Sequence, residues 1–293
     1  MDVQQAGRPV TVGVDGSVSS EQAVRWAARE ARRRKAPLRV VQAVDPTAPP
    51  HRYAVPGYGP DVHEIRIRAA RAHLQDAARA AAEEASGVTV EQEILEGFPI
   101  AQLLDESRTA QLVVIGDRGL SGVAGLLLGS VAVGLAARGA CPVAVVRGRT
   151  SAVEGPVVVG VDGSPVSEAA LEYAFDAADA RSAELVVVYA WRDLLLDRAT
   201  PLEAVEQQGR AELAERLAGW GGKYPDVRVR RVVVRDAPAR TIVEQSAAAQ
   251  LVVVGSHGRG SVGGLLLGSV SNAVLHRAEC PVVVVRGPAD VRS

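Results

Sequence analysis

Four segments from the first half of the chain return in the same order in the second half, and this internal repeat constrains the fold more than any other feature. The pairs are VGVDGS at 12–17 and 159–164, QLVVIGDRG at 111–119 and QLVVVGSHG at 250–258, GLLLGSV at 125–131 and 264–270, and CPVAVVRG at 141–148 and CPVVVVRG at 280–287. Solenoid repeats are about 20–50 residues long, whereas three of these pairs are separated by 139 residues. We therefore predict two homologous domains, at 1–149 and 155–293, connected by a linker near 149–155.

Within each copy, apolar segments rich in Val, Ile and Leu alternate with segments of helical character. In the first copy we predict strands at 9–15, 38–44, 88–95, 111–116 and 142–148, and helices up to about 35 and at about 61–85, 99–108 and 130–138. In the second copy we predict strands near 156–162, 184–190, 227–234, 250–255 and 281–286. Ser19 or Ser20 is predicted to cap the first helix. Continuous apolar strands alternating with helices are typical of an α/β fold, with a parallel sheet covered on both faces.

The composition narrows the classes of partner. Charged residues make up 23% of the 293 residues, and the net charge is −1. The chain therefore lacks the basic excess that binding to nucleic acid or to an anionic membrane requires. Lysine occurs only at positions 35 and 223, which leaves little room for lysine-based catalysis.

The sequence also predicts a cytoplasmic location. Cys141 and Cys280 occupy equivalent positions, each before a proline, so we predict no disulfide framework and a reducing compartment. The N-terminal segment MDVQQAGRP has no apolar stretch and is not predicted to be a signal peptide. The longest apolar stretch, 125–137, is shorter than the ~20 residues that a membrane-spanning helix needs.

A glycine-rich segment follows the fourth predicted strand of each copy. Its pattern is Gly116-x2-Gly119-x9-Gly129-Ser130, and Gly255-x2-Gly258-x9-Gly268-Ser269 has the same spacing. Phosphate oxygens must come within ~3 Å of backbone N–H groups, and a Cβ atom would often block that approach. The N-terminus of the following helix adds free N–H groups, and its serine is predicted to act as an N-cap or as a phosphate donor. The alternative is that these glycines form ordinary turns.

Other motifs with known chemistry are missing or ambiguous. The chain has no G-x4-GK[ST] motif, and no G-x-G-x-x-G follows the first strand. The five histidines show no metal-ligand spacing, and no nucleophile lies beside a base in an assembled motif. Asp15 and Asp162 end the first strand of each copy; they are predicted either to cap a loop or to contact a nucleotide, directly or through Mg²⁺.

Together, the VDGS strand end, the G-x2-G-x9-GS loop and the C-P-V-x-V-V final strand resemble the universal stress protein family in its tandem-domain form. The resemblance covers about residues 8–148 and 156–287. It implies a five-stranded parallel sheet in each domain, with strand order 3-2-1-4-5, and ATP bound between the first and fourth strands. The strand order reverses there, and doubly wound sheets bind ligands at such points. It further implies that the two copies pair through their final strands as a pseudo-dimer; two chains are then expected to form a homodimer.

The resemblance also implies which residues bind the nucleotide. In the first copy these are Gly13, Val14, Asp15, Ala43, Gly116, Asp117, Arg118, Gly119, Leu120, Ser121, Gly122, Gly129, Ser130 and Val131. In the second copy they are Gly160, Val161, Asp162, Ala190, Asp193, Gly255, Ser256, His257, Gly258, Arg259, Gly260, Ser261, Gly268, Ser269, Val270 and Ser271. The backbone of Ala43 is expected to contact adenine, and Asp193 to reach the ribose. Trp191 is a further candidate for the adenine pocket.

The two copies differ inside the loop. The first has Asp117 and Arg118 where the second has Ser256 and His257, and the second matches the commoner G-S-H-G form of the family. A carboxylate beside a triphosphate repels it, unless Arg118 offsets the charge or Asp117 faces away. We therefore predict that the second site binds ATP at least as tightly as the first.

The function that this sequence predicts is that of an ATP-binding regulatory protein of the stress response, with an unidentified protein partner. ATP would act by favouring one conformation or partner surface, which requires different affinities for the two states. One alternative is a slow Mg²⁺-dependent ATPase or an adenylyl-transferring enzyme that uses Asp15 or Asp162. Another is an interaction module in which the nucleotide serves only as a folding cofactor.

Overall fold

The structure is a computed structural model that describes residues 7–47, 62–119, 128–150, 154–190, 202–234, 237–258 and 267–287. The chain divides into two compact units, Met1–Val146 and Arg147–Ser293. Among the described residues, none of the helices combines the length and the apolar character needed to cross a membrane.

The first unit alternates strands and helices along its whole length. Its elements are β1 (Val10–Gly13), α1 (Val18–Arg34), β2 (Leu38–Val44), α2 (Val62–Glu84), β3 (Val90–Glu96), α3 (Pro99–Glu106), β4 (Leu112–Gly116), α4 (Ser130–Arg138) and β5 (Val143–Val146). The strands pair in parallel in the order β3-β2-β1-β4-β5, with Val10 in register with both Leu38 and Leu112. The predicted α/β fold and the 3-2-1-4-5 strand order are therefore confirmed in this unit.

The second unit repeats this order. Its elements are β6 (Val157–Val161), α5 (Pro165–Asp179), β7 (Leu185–Ala190), α6 (Leu202–Leu217), α7 (Trp220–Lys223), β8 (Val229–Val234), α8 (Pro238–Ser246), β9 (Leu251–Gly255), α9 (Ser269–Arg277) and β10 (Val282–Val285). Its strands pair in parallel as β8-β7-β6-β9-β10.

The burial of each strand follows its place in the sheet. Val10 and Val12 of β1 and Leu112 of β4 are fully buried, as expected for central strands with helices on both faces. In contrast, β3 contains only exposed and half-buried residues, which fits its place at the edge of the sheet. Burying a Leu or Val side chain completely contributes about 1.5–3 kcal/mol, so the central strands carry much of the core's stability.

The helices lie in two layers. Helix α1 packs on α2 and β4, whereas α3 packs on α4. Parallel crossovers are right-handed, so the reversal of direction after β3 places the second pair of helices on the opposite face of the sheet. The loops that follow β1 and β4 consequently lead to opposite faces, and they leave a crevice at the carboxyl ends of these two strands.

The helix caps differ from the predicted ones. Ser17, rather than Ser19 or Ser20, is the N-cap of α1, because its backbone is extended and its hydroxyl accepts the N–H of Ser20. Ser130 and Ser269 are not N-caps; each is the first helical residue, and the preceding glycine holds the cap position. Of their two predicted roles, that of N-cap was wrong, because the extended backbone falls one residue earlier, and that of phosphate donor stays a prediction.

Candidate functional site

An aspartate at the end of the first strand faces the glycine loop in each unit. Asp15 Oδ1 accepts a hydrogen bond from the Ser17 N–H at 3.0 Å, and Asp162 Oδ1 accepts one from the Ser164 N–H at 3.0 Å. The glycine between each pair has a positive φ, 83° at Gly16 and 79° in its counterpart, which an L side chain rarely adopts. The D-G-S sequence therefore makes a turn that fixes the aspartate side chain.

The second carboxylate oxygen of each aspartate lies against the loop. A Cβ atom added to Gly119 would lie 2.6 Å from Asp15 Oδ2, and one added to Gly258 would contact Asp162 Oδ2. Any larger side chain at either glycine would displace the aspartate or the loop. The structure thus brings together three of the predicted features at one point: the strand-end aspartate, the strand-four glycines and the start of the crevice.

The described parts of the loop close on themselves. Asp117 N–H donates to Val146 O at 3.1 Å, and Gly129 N–H donates to Asp117 O at 2.8 Å. In the second unit the Ser256 N–H donates to Val285 O and the Gly268 N–H donates to Ser256 O, both at 2.8 Å. The two ends of each loop therefore meet beside the end of the strand, which brings the N-terminus of the following helix to the crevice.

The helix N-termini at this position are open. Neither α4 nor α9 has a side-chain hydrogen bond at its N-cap, and the first residues, Ser130 and Ser269, are exposed. The first N–H groups of a helix lack partners within the helix and attract anions. With glycine as the N-cap, no Cβ atom hinders the approach of a ligand to these groups.

The helix residue that contacts the glycine at the start of the loop differs between the units. A Cβ atom on Gly116 would lie 2.8 Å from the backbone carbon and oxygen of Ser19, so the end of β4 touches the first turn of α1. On Gly255 it would lie 2.9 Å from Val166 Cγ1. Ser19 and Val166 hold equivalent places in the repeat, one with a hydroxyl donor and one without.

The chain matches one protein family in both halves. The model of the universal stress protein family matches residues 7–147 and again residues 155–286. The chain belongs to the universal stress protein family. A universal stress protein of Mycobacterium tuberculosis is 46% identical over 286 residues, which cover 94% of this chain and 96% of the relative. One from Mycolicibacterium smegmatis is 42% identical over 285 residues, with the same coverage.

Solved structures show the same fold at lower sequence identity. The crystal structure of a universal stress protein from Archaeoglobus fulgidus superposes with a TM-score of 0.72 at 20% identity. The match covers 96% of this chain and 99% of that protein. At this identity, the match shows the tandem α/β fold alone.

In this universal stress protein, the two loops orient their second residue differently. Asp117 is only 8% exposed; its Oδ1 accepts the hydroxyl of Ser19 at 2.7 Å, and its Oδ2 lies 3.5 Å from Arg118 Nε. Ser256 is 3% exposed, and its hydroxyl lies 3.0 Å from Nδ1 of His257. The sequence suggested two arrangements that would reduce the repulsion between Asp117 and a triphosphate, and both are present. The carboxylate of Asp117 points to α1, and the guanidinium of Arg118 lies beside it.

Gly13, Ala43, Gly160, Val161 and Ala190 lie at or near the ends of their strands, and most of the other predicted residues fall into three groups. Val14 lies at the crevice, where its N–H donates to Val41 O at 2.9 Å, and Val131 and Val270 lie in the first turns of α4 and α9. The hydroxyl of Ser271 donates to Gly255 O, so it is held on the strand below the loop. Leu120, Ser121, Gly122, Trp191, Asp193, Arg259, Gly260 and Ser261 lie outside the described residues.

Reasoning from the sequence missed the serines that organise the site. Ser17 and Ser164 cap their helices and also donate their N–H groups to the aspartates. Ser19 was considered only as a cap, although it is the partner of Asp117. Comparing the two copies position by position could have found it, because Ser19 and Asp117 change together to Val166 and Ser256.

Proposed function

We propose that this universal stress protein binds ATP in the crevice of each unit, one nucleotide per unit, and that binding regulates its conformation or its affinity for a partner. The observation that carries the proposal is the contact of Asp15 with Gly119 and of Asp162 with Gly258. This contact brings a carboxylate and a loop glycine together at the switch point of the sheet, where nucleotide-binding α/β folds hold their ligands.

The residues at the crevice fit the chemical demands of ATP. Phosphates need backbone N–H groups within reach, and the open N-termini of α4 and α9 offer them behind glycine caps. Asp15 and Asp162 would be the residues that hold Mg²⁺, because this ion is usually bound by one or two carboxylates together with the phosphates. The expected contacts of the base are Ala43 and Ala190, at the ends of β2 and β7.

The first test asks whether nucleotide is bound and where. We expect ATP to be released from the purified, denatured full-length chain and identified by mass spectrometry. Calorimetry should then show two sites in the unaltered chain and one in each of G119E and G258E, because the new carboxylate collides with the strand-end aspartate. G221E is the matched control, since no atom lies within 4 Å of a Cβ added there.

Three results would contradict this part of the proposal. A chain that binds no ATP at any concentration near the physiological range would overturn it. So would a G119E/G258E double variant that still binds two nucleotides, because the sites would then lie elsewhere. We also expect the site left in G119E to bind at least as tightly as the site left in G258E; a much weaker second site would reverse the predicted ranking.

A regulatory role and an enzymatic role predict different consequences of binding. Regulation requires ATP to favour one state, so ATP should change the hydrogen-exchange pattern of the chain beyond the crevice. A slow ATPase should instead release phosphate above background, and D162A should abolish that release from the second unit. Phosphate release that depends on Asp162 and turns over repeatedly would favour the enzymatic alternative.

A further inference from the structure

We propose that Ser19 is a positioning residue for the first nucleotide site: its hydroxyl holds the carboxylate of Asp117 on helix α1 and away from the polyphosphate. The inference rests on the proposed binding of ATP and explains how a phosphate loop tolerates an acidic residue. It also assigns a role to the acidic residue of the first loop, which has Asp117 and Arg118 where the second loop has Ser256 and His257.

The contact between β4 and α1 sets up this arrangement. Gly116 is pressed against the backbone of Ser19, closer than any Cβ atom would permit, so the next residue of the loop begins beside the first turn of α1. From there the Asp117 carboxylate reaches the Ser19 hydroxyl at 2.7 Å. The N-terminal end of a helix carries partial positive charge, which further favours a carboxylate at this place.

Two further contacts involve the same loop residues, one to α1 and one within the loop. The Arg118 N–H lies 3.4 Å from Ser19 Oγ, and the Arg118 Nε lies 3.5 Å from Asp117 Oδ2. Arg118 is itself largely exposed, so its ion pair is screened by solvent and contributes little. The hydroxyl of Ser19 is therefore the group on which the orientation of Asp117 depends most.

The second unit supplies a comparison within the same chain. Val166, at the place of Ser19, contacts Gly255 through its Cγ1 atom and has no hydroxyl to offer. Its loop residue is Ser256, whose hydroxyl bonds with His257 instead of reaching α5. Each unit thus combines either a hydroxyl with a carboxylate or an aliphatic side chain with a neutral loop residue. Combining the aliphatic side chain with an acidic loop residue would leave a carboxylate without its donor beside the phosphates.

The test uses the full-length chain with G258E, so that only the first site binds. In this background we expect S19V to weaken ATP binding about tenfold, because the released carboxylate repels the phosphates. S19T, which keeps the hydroxyl, should retain most of the affinity of the G258E parent. The S19V/D117S variant should recover the affinity that S19V loses, because it lacks the charge. Adenosine has no phosphates, so its affinity should stay the same in S19V.

The adenosine comparison separates positioning from a general loss of structure. A merely structural role of Ser19 would lower the melting temperature and weaken ATP and adenosine alike, and this result would overturn the inference. Equal ATP affinity in S19V and in its G258E parent would overturn it as well, while leaving the proposed function intact. If the unaltered chain binds no ATP, the proposed function itself fails.

The reciprocal exchange in the second unit gives an independent measurement. In a G119E background, S256D places a carboxylate opposite Val166 and should weaken ATP binding about tenfold. Adding V166S to S256D supplies the missing donor and should recover part of the loss. An S256D variant that binds ATP as tightly as its parent would show that the carboxylate needs no hydroxyl partner, against the inference.

Discussion

Cys280 lies two residues before β10, the final strand of the second unit, and its side chain is completely buried. Burial disfavours the thiolate and raises the pKa of Cys280 from 9.0 to about 12. Nearby arginines oppose this shift but do not cancel it. The side chain therefore behaves as a small apolar group at neutral pH, in agreement with its place before an apolar strand and against a redox role.

This shift predicts a loss of stability in alkaline solution. The unfolded thiol releases its proton near pH 9, whereas the folded one keeps it to about pH 12. Below pH 9 the thiol is protonated in both states, so the folded state keeps its full stability. Above pH 9 only the unfolded state loses the proton, and the free energy of unfolding falls by up to about 1.4 kcal/mol for each pH unit. Urea unfolding under reducing conditions should show a shallower decline in C280A than in the unaltered chain between pH 9 and 10. Parallel declines would argue that the thiol ionises equally in both states.

Two serines two positions apart show how far residue identity alone can predict a role. Ser17 accepts from the Ser20 N–H as a cap, and Ser19 donates to Asp117 in the loop after β4. Both are serines in one short polar segment, so a capping pattern fits either. The extended backbone of Ser17 (φ −78°, ψ 158°) and the contact of Ser19 with Asp117, 98 residues away, decide between them. Neither is visible in a local pattern.

At the scale of elements, the strands are the best-predicted part of the molecule. The central strands are uninterrupted runs of Val, Ile and Leu, and their bounds differ from the predicted ones by only a few residues. Helix α7, Trp220–Lys223, was not predicted, because two glycines in four residues disfavour a helix. Trp220 stacks on Phe175 at 4.8 Å and on Tyr224 at 5.9 Å between ring centroids. This long-range packing offsets the poor local propensity.

The N-cap of α5 allows a prediction about a single element. Ser164 Oγ accepts the Ser167 N–H at 3.2 Å, and the residue is nearly buried. S164A should lower the free energy of unfolding by about 1 kcal/mol, because one N–H in the first turn loses its acceptor. S269A is the matched control: Ser269 is exposed at the start of α9 and caps nothing, so its effect should stay below about 0.5 kcal/mol. Chemical denaturation of both variants measures this, and equal effects would contradict the assignment of the caps.

At the scale of the whole molecule, duplication preserved the sheet and the glycine framework and let the polar details diverge. The same strand order is built twice, and both aspartates make the same turn with a 3.0 Å hydrogen bond. The shared strands and glycine loops could be predicted from the sequence, because the same pattern occurs in both copies. The pairing of Ser19 with Asp117 could not be predicted in the same way, since it exists in one copy only.

The division into units predicts where the chain can be cut. Each unit has a five-stranded sheet and its own core, so we expect the fragments 1–146 and 147–293 to fold and to melt cooperatively. ATP should raise the melting temperature of 147–293, and G258E should remove that effect, because only the folded fragment binds. A fragment that stays unfolded in ATP would contradict the independence of its core.

The start of the second fragment can be tested more finely. Residues just after β5 pack on the second unit, where the Arg149 N–H donates to Glu279 O at 2.8 Å and the Arg149 guanidinium donates to Ala247 O. A fragment beginning at 155, where the family match resumes, lacks these contacts. We expect it to be about 1 kcal/mol less stable than 147–293, a decrease of about 2–4 °C in melting temperature. R149A in 147–293 should reproduce only part of that loss, because its backbone N–H still bonds with Glu279. Equal stability of the two fragments would place the boundary of the second unit at 155 instead of 147.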